Sequence, residues 1–139
     1  MSTIMKSKTM VYNYYKKEYT PKWKFDVDNV RVYLFLERRD IYREVAIINK
    51  YCRDHIRYLK NHYPERIQEL LDNGKIYLYI RRKEKAAWAA VDSQLEKWLA
   101  TDKEYRIAKE KGDFLTEVGL YNNLKARAEE IMYPSIIYV

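Results

Sequence analysis

The sequence predicts a mainly α, single-domain helical bundle of four or five helices, preceded by a small N-terminal β-hairpin or strand pair. The chain has 139 residues, of which 47% are hydrophobic, and this suffices for one hydrophobic core. Three glycines and three prolines are too few for a loop-rich sandwich or a disordered chain. Apolar side chains recur with helical spacing over most of the chain from residue 40 onward, which places the helical body at residues 40–133.

The N-terminal third has strand periodicity. Residues 1–20 are basic and tyrosine-rich, and they fit either a flexible arm or an edge strand. Apolar and charged side chains then alternate, which is the period of a strand, with the apolar set Trp23, Phe25 and Val27. A turn at Asp28 followed by β-branched and aromatic residues predicts a hairpin over residues 22–36. The alternative is a helix that begins with Asp28 as its N-cap.

The clearest predicted helix runs from Asp40 to Asn61. Its apolar residues are spaced by three or four and share one face, namely Ile41, Val45, Ile48, Cys52, Ile56 and Leu59. A basic stripe lies on nearly the opposite face and consists of Arg43, Lys50, Arg53, Arg57 and Lys60. The pattern indicates an amphipathic helix with a cationic outer face.

Four further helices are predicted from turn residues and apolar spacing. The first begins at Pro64, and the second runs from Lys75 to Ala100. Thr101-Asp102 breaks the second helix and caps a short charged helix that ends at Lys111. Gly112-Asp113 is the next stop and cap, and the last helix runs from Asp113 to Met132. Asp72-Asn73-Gly74 marks a helix end, with Gly74 at positive φ. The predicted inner residues of the two longer helices are Tyr77, Ile80, Ala87, Trp88, Val91, Leu95, Trp98, Leu99, Phe114, Val118, Tyr121, Leu124, Ala128 and Ile131. Pro134 ends the last helix, and residues 134–139 form an apolar tail that packs back onto the body.

The charge balance indicates an acidic or phosphate-bearing partner. Lys and Arg number 27 against 20 Asp and Glu, a net charge of +7, and residues 1–70 carry +6 of it. A solvated surface that keeps the protein soluble explains the same numbers. A second basic cluster consists of Lys75, Arg81, Arg82, Lys83 and Lys85. Tyr51 and Tyr58 lie beside the first stripe, so cations and aromatic rings together predict a nucleic-acid or partner-binding face.

Residues that could carry catalysis or bind a metal are poorly arranged. Cys52 and His55 are three residues apart on one helix, but Cys52 lies in the apolar stripe, where a thiol is inert. His55 and His62 are seven apart, whereas a helical metal pair needs three or four. There is no Gly-rich phosphate loop. We therefore expect no enzymatic activity, no metal and no cofactor.

Localisation is expected to be cytoplasmic. Residues 1–8 lack the apolar run of a signal peptide, no stretch approaches the length of a membrane span, and the lone Cys52 fits a reducing compartment. A membrane is therefore not among the expected partners.

Three separated motifs resemble one known family. They are Arg57-Tyr58-Leu59-Lys60-Asn61-His62, then Leu70-Leu71-Asp72-Asn73-Gly74-Lys75-Ile76-Tyr77, and finally Lys125-Ala126-Arg127-Ala128-Glu129-Glu130-Ile131 with Ile136-Ile137-Tyr138. In this order and spacing, residues 53–139 resemble the TnpV family of transposon-encoded proteins. The N-terminal third differs, and Pro134-Ser135 departs from the continuing helix of the family.

The resemblance implies an accessory protein of a mobile element, without catalytic residues to carry over. Such a protein would act on DNA or RNA, or on a nucleic-acid-handling protein such as a recombinase. The second interpretation is an anti-defence inhibitor of the anti-CRISPR type, which would bind a Cas effector. A structural or dimerising module is the third.

Overall fold

A computed structural model describes residues 3–45 and 49–139 of the chain. Its contacts divide the chain into two compact units, Met1–Glu84 and Lys85–Val139, and each is described by itself below. The expected single domain over residues 1–139 stays a prediction. Mainly helical structure with N-terminal strands is confirmed, although the β-structure is larger than one hairpin.

The described part of the first unit begins with six strands in two sheets. The four-stranded sheet has the order β1-β4-β5-β6, and β2 and β3 form a separate hairpin. The strand bounds are β1 Ile4–Lys6, β2 Met10–Asn13, β3 Glu18–Pro21, β4 Trp23–Asp26, β5 Arg31–Leu36 and β6 Ile41–Glu44. Strands β4 and β5 confirm the predicted hairpin, with Phe25 opposite Val32, and rule out a helix that begins at Asp28. Of the two expectations for residues 1–20, the strand is the one the structure shows, because β1 pairs with β4.

The sheet has a buried inner face and an outer face. Phe25 and Val32 are both 0% exposed and belong to the core that the sheet shares with the helices of this unit. Side chains alternate along a strand, so Lys24 and its partner Lys6 lie on the outer face. Helix α1, Lys50–His62, contributes Ile56 and Leu59 to the core on the inner side.

The predicted helix from Asp40 was wrong at its N-terminal end. Residues Ile41–Glu44 form β6, which pairs with β5, and α1 begins only at Lys50. The spacing of Ile41 and Val45 fits a helix, but the open edge of β5 offers backbone hydrogen bonds to an antiparallel partner. Asn49 then caps α1, and its side chain accepts from the backbone N–H of Tyr51. Ile48 lies outside the described residues.

The end of α2, Pro64–Asp72, confirms the predicted glycine turn. Gly74 has φ +73°, and the backbone N–H groups of Gly74 and Lys75 donate to the carbonyls of Leu71 and Leu70. A Cβ atom at this position would lie 3.3 Å from Nε1 of Trp23. The glycine therefore provides both the left-handed backbone and the close approach of the indole.

We expect Gly74→Val to lower the free energy of unfolding by about 2 kcal/mol or more, and Gly74→Asn by about 1 kcal/mol. Asn tolerates the left-handed region better than a β-branched residue does. Urea denaturation of both variants measures the difference. Equal midpoints for the two variants would contradict this account of the turn.

The second unit consists of helical segments. It contains the part of α3 (Ile76–Thr101) from Lys85 onward, α4 Lys103–Lys111, α5 Phe114–Met132 and a π-helical turn Tyr133–Ile137. Asp102 caps α4, which ends at Gly112 with φ +70°, and Asp113 caps α5, as the sequence predicts. Ile137 in the predicted apolar tail is buried.

Several predicted core residues of the second unit are exposed. Val91, Leu95, Leu124 and Ala128 are buried as expected. Phe114 is 69% exposed and Ile131 58%, and Trp88, Val118 and Tyr121 also retain much of their accessible surface. Helical spacing finds an apolar face, but it cannot say whether another element of the chain covers that face.

Candidate functional site

Positive charge is concentrated in the first unit. Residues 1–84 contain 19 basic and 11 acidic groups, net +8, whereas residues 85–139 contain 8 and 9, net −1. The net charge therefore favours attraction of an anionic partner to the first unit. Lys85, the last member of the second predicted cluster, belongs to the second unit.

Three of the predicted basic residues line one groove, which we call the α1 groove. Arg53, Arg57 and Lys60 project from α1 with the i, i+4, i+7 spacing of one helix face, and all three are exposed. The opposite wall is the turn between β4 and β5. The groove has a volume of about 370 Å³ and is lined by Val27, Asp28, Val30, Arg53, Arg57, Lys60 and Asn61.

One carboxylate partly balances the charge of the α1 groove. Asp28 Oδ1 lies 2.5 Å from Lys60 Nζ, and its Oδ2 accepts from the backbone N–H of Thr3 at 2.7 Å. The hydrogen bond from Lys60 is the main reason that the pKa of Asp28 is lowered. At neutral pH the groove therefore presents three cations and one ionised carboxylate.

The remaining residues of the first predicted stripe lie elsewhere. Arg43 is on β6, and it lines a second groove of about 410 Å³ with Trp23, Leu34, Glu44, Val45 and Tyr77. Lys50 is the first residue of α1, and its ammonium lies 6.0 Å from the centre of the Tyr51 ring. The predicted helical stripe is thus corrected at Arg43, which belongs to a strand, whereas Lys50 lies on α1 three residues before Arg53, as predicted.

The second predicted cluster is also divided. Arg81 lies on α3, and its Nη1 donates to the Tyr77 hydroxyl at 3.1 Å, beside the second groove. Lys83 lies 5.9 Å from the ring of Tyr79, and burial, followed by repulsion from Arg66, lowers its pKa. Lys75, Arg82 and Lys85 are exposed.

The two predicted tyrosines differ in accessibility. Tyr51 is only 1% exposed, so its ring is part of the packed interior and we leave it out of the proposed interface. Tyr58 is half-buried and packs with the rings of His62 and Tyr63, at 4.7 and 6.1 Å between centroids. Arg66 is a further cation near these rings, and its guanidinium lies 5.0 Å from the Tyr63 ring. Its place in the first turn of α2, directly after Tyr63-Pro64, is the sequence signal that points to it.

Cys52 and His55 form hydrogen bonds with different partners. The Cys52 thiol is buried and donates to the Ile80 carbonyl at 3.3 Å, and burial strongly raises its pKa. His55 Nε2 forms a 2.6 Å hydrogen bond with the Tyr79 hydroxyl. Burial in turn raises the pKa of Tyr79. These groups stabilise the interior of the first unit and do not form an activated nucleophile.

Within residues 3–45 and 49–139, no three His, Cys, Asp or Glu side chains converge as metal ligands. No helix in the described part of the chain combines the length and the apolar character that a membrane span needs.

The fold and the grooves define a small basic protein in whose first unit an antiparallel sheet and helices share a core. The family model described as "Transposon-encoded protein TnpV" matches residues 38–137, so the chain belongs to the TnpV family. This confirms the resemblance seen in the sequence motifs and extends it to the N-terminal side, where it includes β6 and all of α1. No curated protein and no solved structure matches the chain.

Proposed function

We propose that the protein is a non-enzymatic accessory protein of a transposon, and that it binds nucleic acid through the α1 groove. The observation that carries this proposal is the convergence of Arg53, Arg57 and Lys60 on one exposed groove, with Asp28 as the single acidic residue in its lining. Membership in a transposon-encoded family supports a nucleic-acid or nucleoprotein target.

The spacing of the three cations suits a phosphate backbone. Seven residues of α-helix separate Arg53 from Lys60, which is about 10 Å along the axis. One strand of DNA presents a phosphate about every 3.4 Å of helix axis, so the groove covers about three phosphates. Arginine binds phosphate through two parallel N–H groups, and lysine adds a point charge. Val27 and Val30 on the opposite wall are uncharged, so they do not compete with those phosphates for the three cations.

Salt dependence tests this proposal. Titrations of the whole chain with labelled duplex and single-stranded oligonucleotides, at several salt concentrations, give the slope of log affinity against log salt. Three neutralised phosphates predict a slope of about −2 to −3. Absence of binding to either oligonucleotide at low salt, or an affinity that salt does not change, would contradict nucleic-acid binding through this groove.

Removal of the opposing carboxylate is expected to strengthen binding. Asp28→Asn frees Lys60 from its ion pair and removes one repulsive charge, so we expect a roughly two- to fivefold gain in affinity. The titrations above, at neutral pH, measure the change in affinity.

The ion pair of Asp28 and Lys60 also makes stability depend on pH. Because the pKa of Asp28 is lowered in the folded chain, the ion pair contributes to stability above the unfolded pKa of about 3.9, and that contribution is lost as pH falls through the folded pKa.

The matched control is Asp92→Asn, which removes the same charge from an exposed position of α3 in the second unit. It should leave affinity unchanged. An equal gain in both variants would show that net charge, and not the α1 groove, determines binding.

A second candidate function is an anti-defence inhibitor that binds a host effector protein. The second unit favours it, because this unit is nearly neutral and exposes large apolar side chains that are typical of protein interfaces. Leu115 is 83% exposed, Phe114 69% and Ile107 50%. Loss of effector binding on Phe114→Ser with Leu115→Ser, together with unchanged nucleic-acid affinity, would favour this function.

A further inference from the structure

The hairpin of β2 and β3 exposes an unusual set of aromatic rings. Tyr14 is 71% exposed, Tyr15 66% and Tyr19 68%. Tyr12 lies between two of them, with edge-on packing at 4.9 Å to Tyr14 and 5.2 Å to Tyr19. The contacts with Tyr12 hold both rings in place, while most of their surface remains open to solvent.

The hairpin is held firmly by hydrogen bonds. Asn13 is buried, and its Oδ1 accepts from the backbone N–H groups of Tyr15 and Lys16, each at 3.0 Å. Its Nδ2 donates to Asp40 Oδ1 at 2.5 Å, in the turn between β5 and β6. At the other end of the hairpin, the Tyr42 hydroxyl donates to the Pro21 carbonyl at 2.6 Å. The exposed rings therefore project from an ordered scaffold, which lowers the entropy lost when a ligand binds.

Lysines also lie on the outer sheet face, where the Thr20 hydroxyl of the hairpin contacts the Tyr42 hydroxyl at 2.9 Å. Lys24 on the outer sheet face lies 4.2 Å from the centre of the Tyr42 ring. The pKa of Lys24 is lowered, first by burial and then by repulsion from Lys6 and Lys16. Lys6 of β1 and Lys16 of the hairpin turn are thus close enough to Lys24 to repel its ammonium group. An anion placed among them would relieve that repulsion.

Exposed aromatic rings next to lysines fit a strand with unpaired bases. Bases stack on tyrosine rings irrespective of their sequence, and lysines neutralise the phosphates between them. A duplex hides its bases in the stack, so it would use the lysines but not the rings. An acidic protein surface would also use the lysines, but it does not present the regular row of flat bases that an unpaired strand offers to Tyr14 and Tyr19.

We propose that Tyr14 and Tyr19, with Lys16 in the turn between them, form a stacking surface for single-stranded nucleic acid. This inference rests on the proposed function and names the class of nucleic acid. The stacking surface is distinct from the α1 groove, because the hairpin contacts Tyr42 on the outer sheet face that also carries Lys24, whereas α1 packs on the opposite face with Phe25.

The test compares three forms of the whole chain: wild type, Tyr14→Ala with Tyr19→Ala, and Tyr14→Phe with Tyr19→Phe. Each is titrated with a labelled 15-residue oligothymidylate and with a labelled duplex of similar length. We expect the double alanine variant to lose tenfold or more in affinity for the single strand. Its duplex affinity should stay within about twofold of wild type, and its salt slope should not change, because no charge is removed.

The double phenylalanine variant keeps the rings and loses only the hydroxyls, so it should bind the single strand as wild type does. Equal single-strand affinity in the alanine variant and wild type would overturn the stacking surface while leaving the α1 groove intact. Loss of affinity in the phenylalanine variant equal to that in the alanine variant would also overturn it. A wild-type chain that binds neither oligonucleotide would overturn both proposals. A wild-type chain that binds only the duplex would overturn this one alone.

Discussion

Reversal of two charges, Arg53→Glu with Arg57→Glu, is expected to reduce the affinity for nucleic acid by about a hundredfold or more. The variant removes two cations from the α1 groove and adds two carboxylates that repel the phosphates. A loss of about 3 kcal/mol is the expected order for close charge contacts, and it corresponds to that factor. The slope of log affinity against log salt should become shallower by about two.

The melting temperature of this variant should change little. Both arginines are exposed, and exposed charges contribute little to the free energy of unfolding. Arg53 also lies near the N-terminus of α1, where a glutamate interacts favourably with the helix dipole. Unchanged melting beside lost affinity would separate a binding defect from a folding defect.

A matched control changes the net charge of the chain by the same amount, but on the second unit. Arg106→Glu with Lys109→Glu reverses two exposed cations of α4, and it should reduce affinity by no more than a few-fold. Similar losses in the two double variants would show that overall charge attracts the nucleic acid. Wild-type affinity in the Arg53/Arg57 variant would show that these arginines only solvate a helix face.

The periodicity of the sequence predicted most of the helices because their boundaries are set locally. Asp102 and Asp113 accept hydrogen bonds from backbone N–H groups three residues later, and Gly112 adopts the left-handed conformation that ends α4. Such caps depend on a few adjacent residues, so they can be seen in the sequence. The pairing of β6 with β5 is a tertiary effect, and it overrides the helical spacing that joins Ile41 to Val45.

For the candidate site too, the sequence predicts only the part that lies on a single helix. The helix periodicity placed Arg53, Arg57 and Lys60 on one face, but it could not show that the β4–β5 turn faces them. Asp28 pairs with Lys60 across 32 positions of sequence, and no local pattern contains such a contact. For the same reason Arg43 was grouped with α1, although its strand places it beside Trp23 and Tyr77.

The sequence is least informative about which individual apolar residues are buried. One pair of phenylalanines provides a direct test of the structure on this point. Phe25 and Phe114 both fit an inner face by periodicity, yet Phe25 is 0% exposed and Phe114 is 69% exposed. We expect Phe25→Ala to lower the free energy of unfolding by about 3–5 kcal/mol, because it removes a buried ring and leaves a cavity in the core. Phe114→Ala should stay within about 0.5 kcal/mol of wild type.

Urea denaturation followed by far-UV circular dichroism measures both changes. Phe25→Leu keeps most of the buried volume and should cost about 1.5 kcal/mol or less, so it remains measurable if the alanine variant fails to fold. The core that contains Phe25 also supports the β4–β5 turn, since Val27 and Val30 belong to the same cluster and line the α1 groove. Phe25→Leu should therefore weaken nucleic-acid binding only to the extent that it unfolds the chain. Equal costs for the alanine variants of Phe25 and Phe114 would mean that the sheet is not the core of the first unit, and the groove built on it would lose its structural basis.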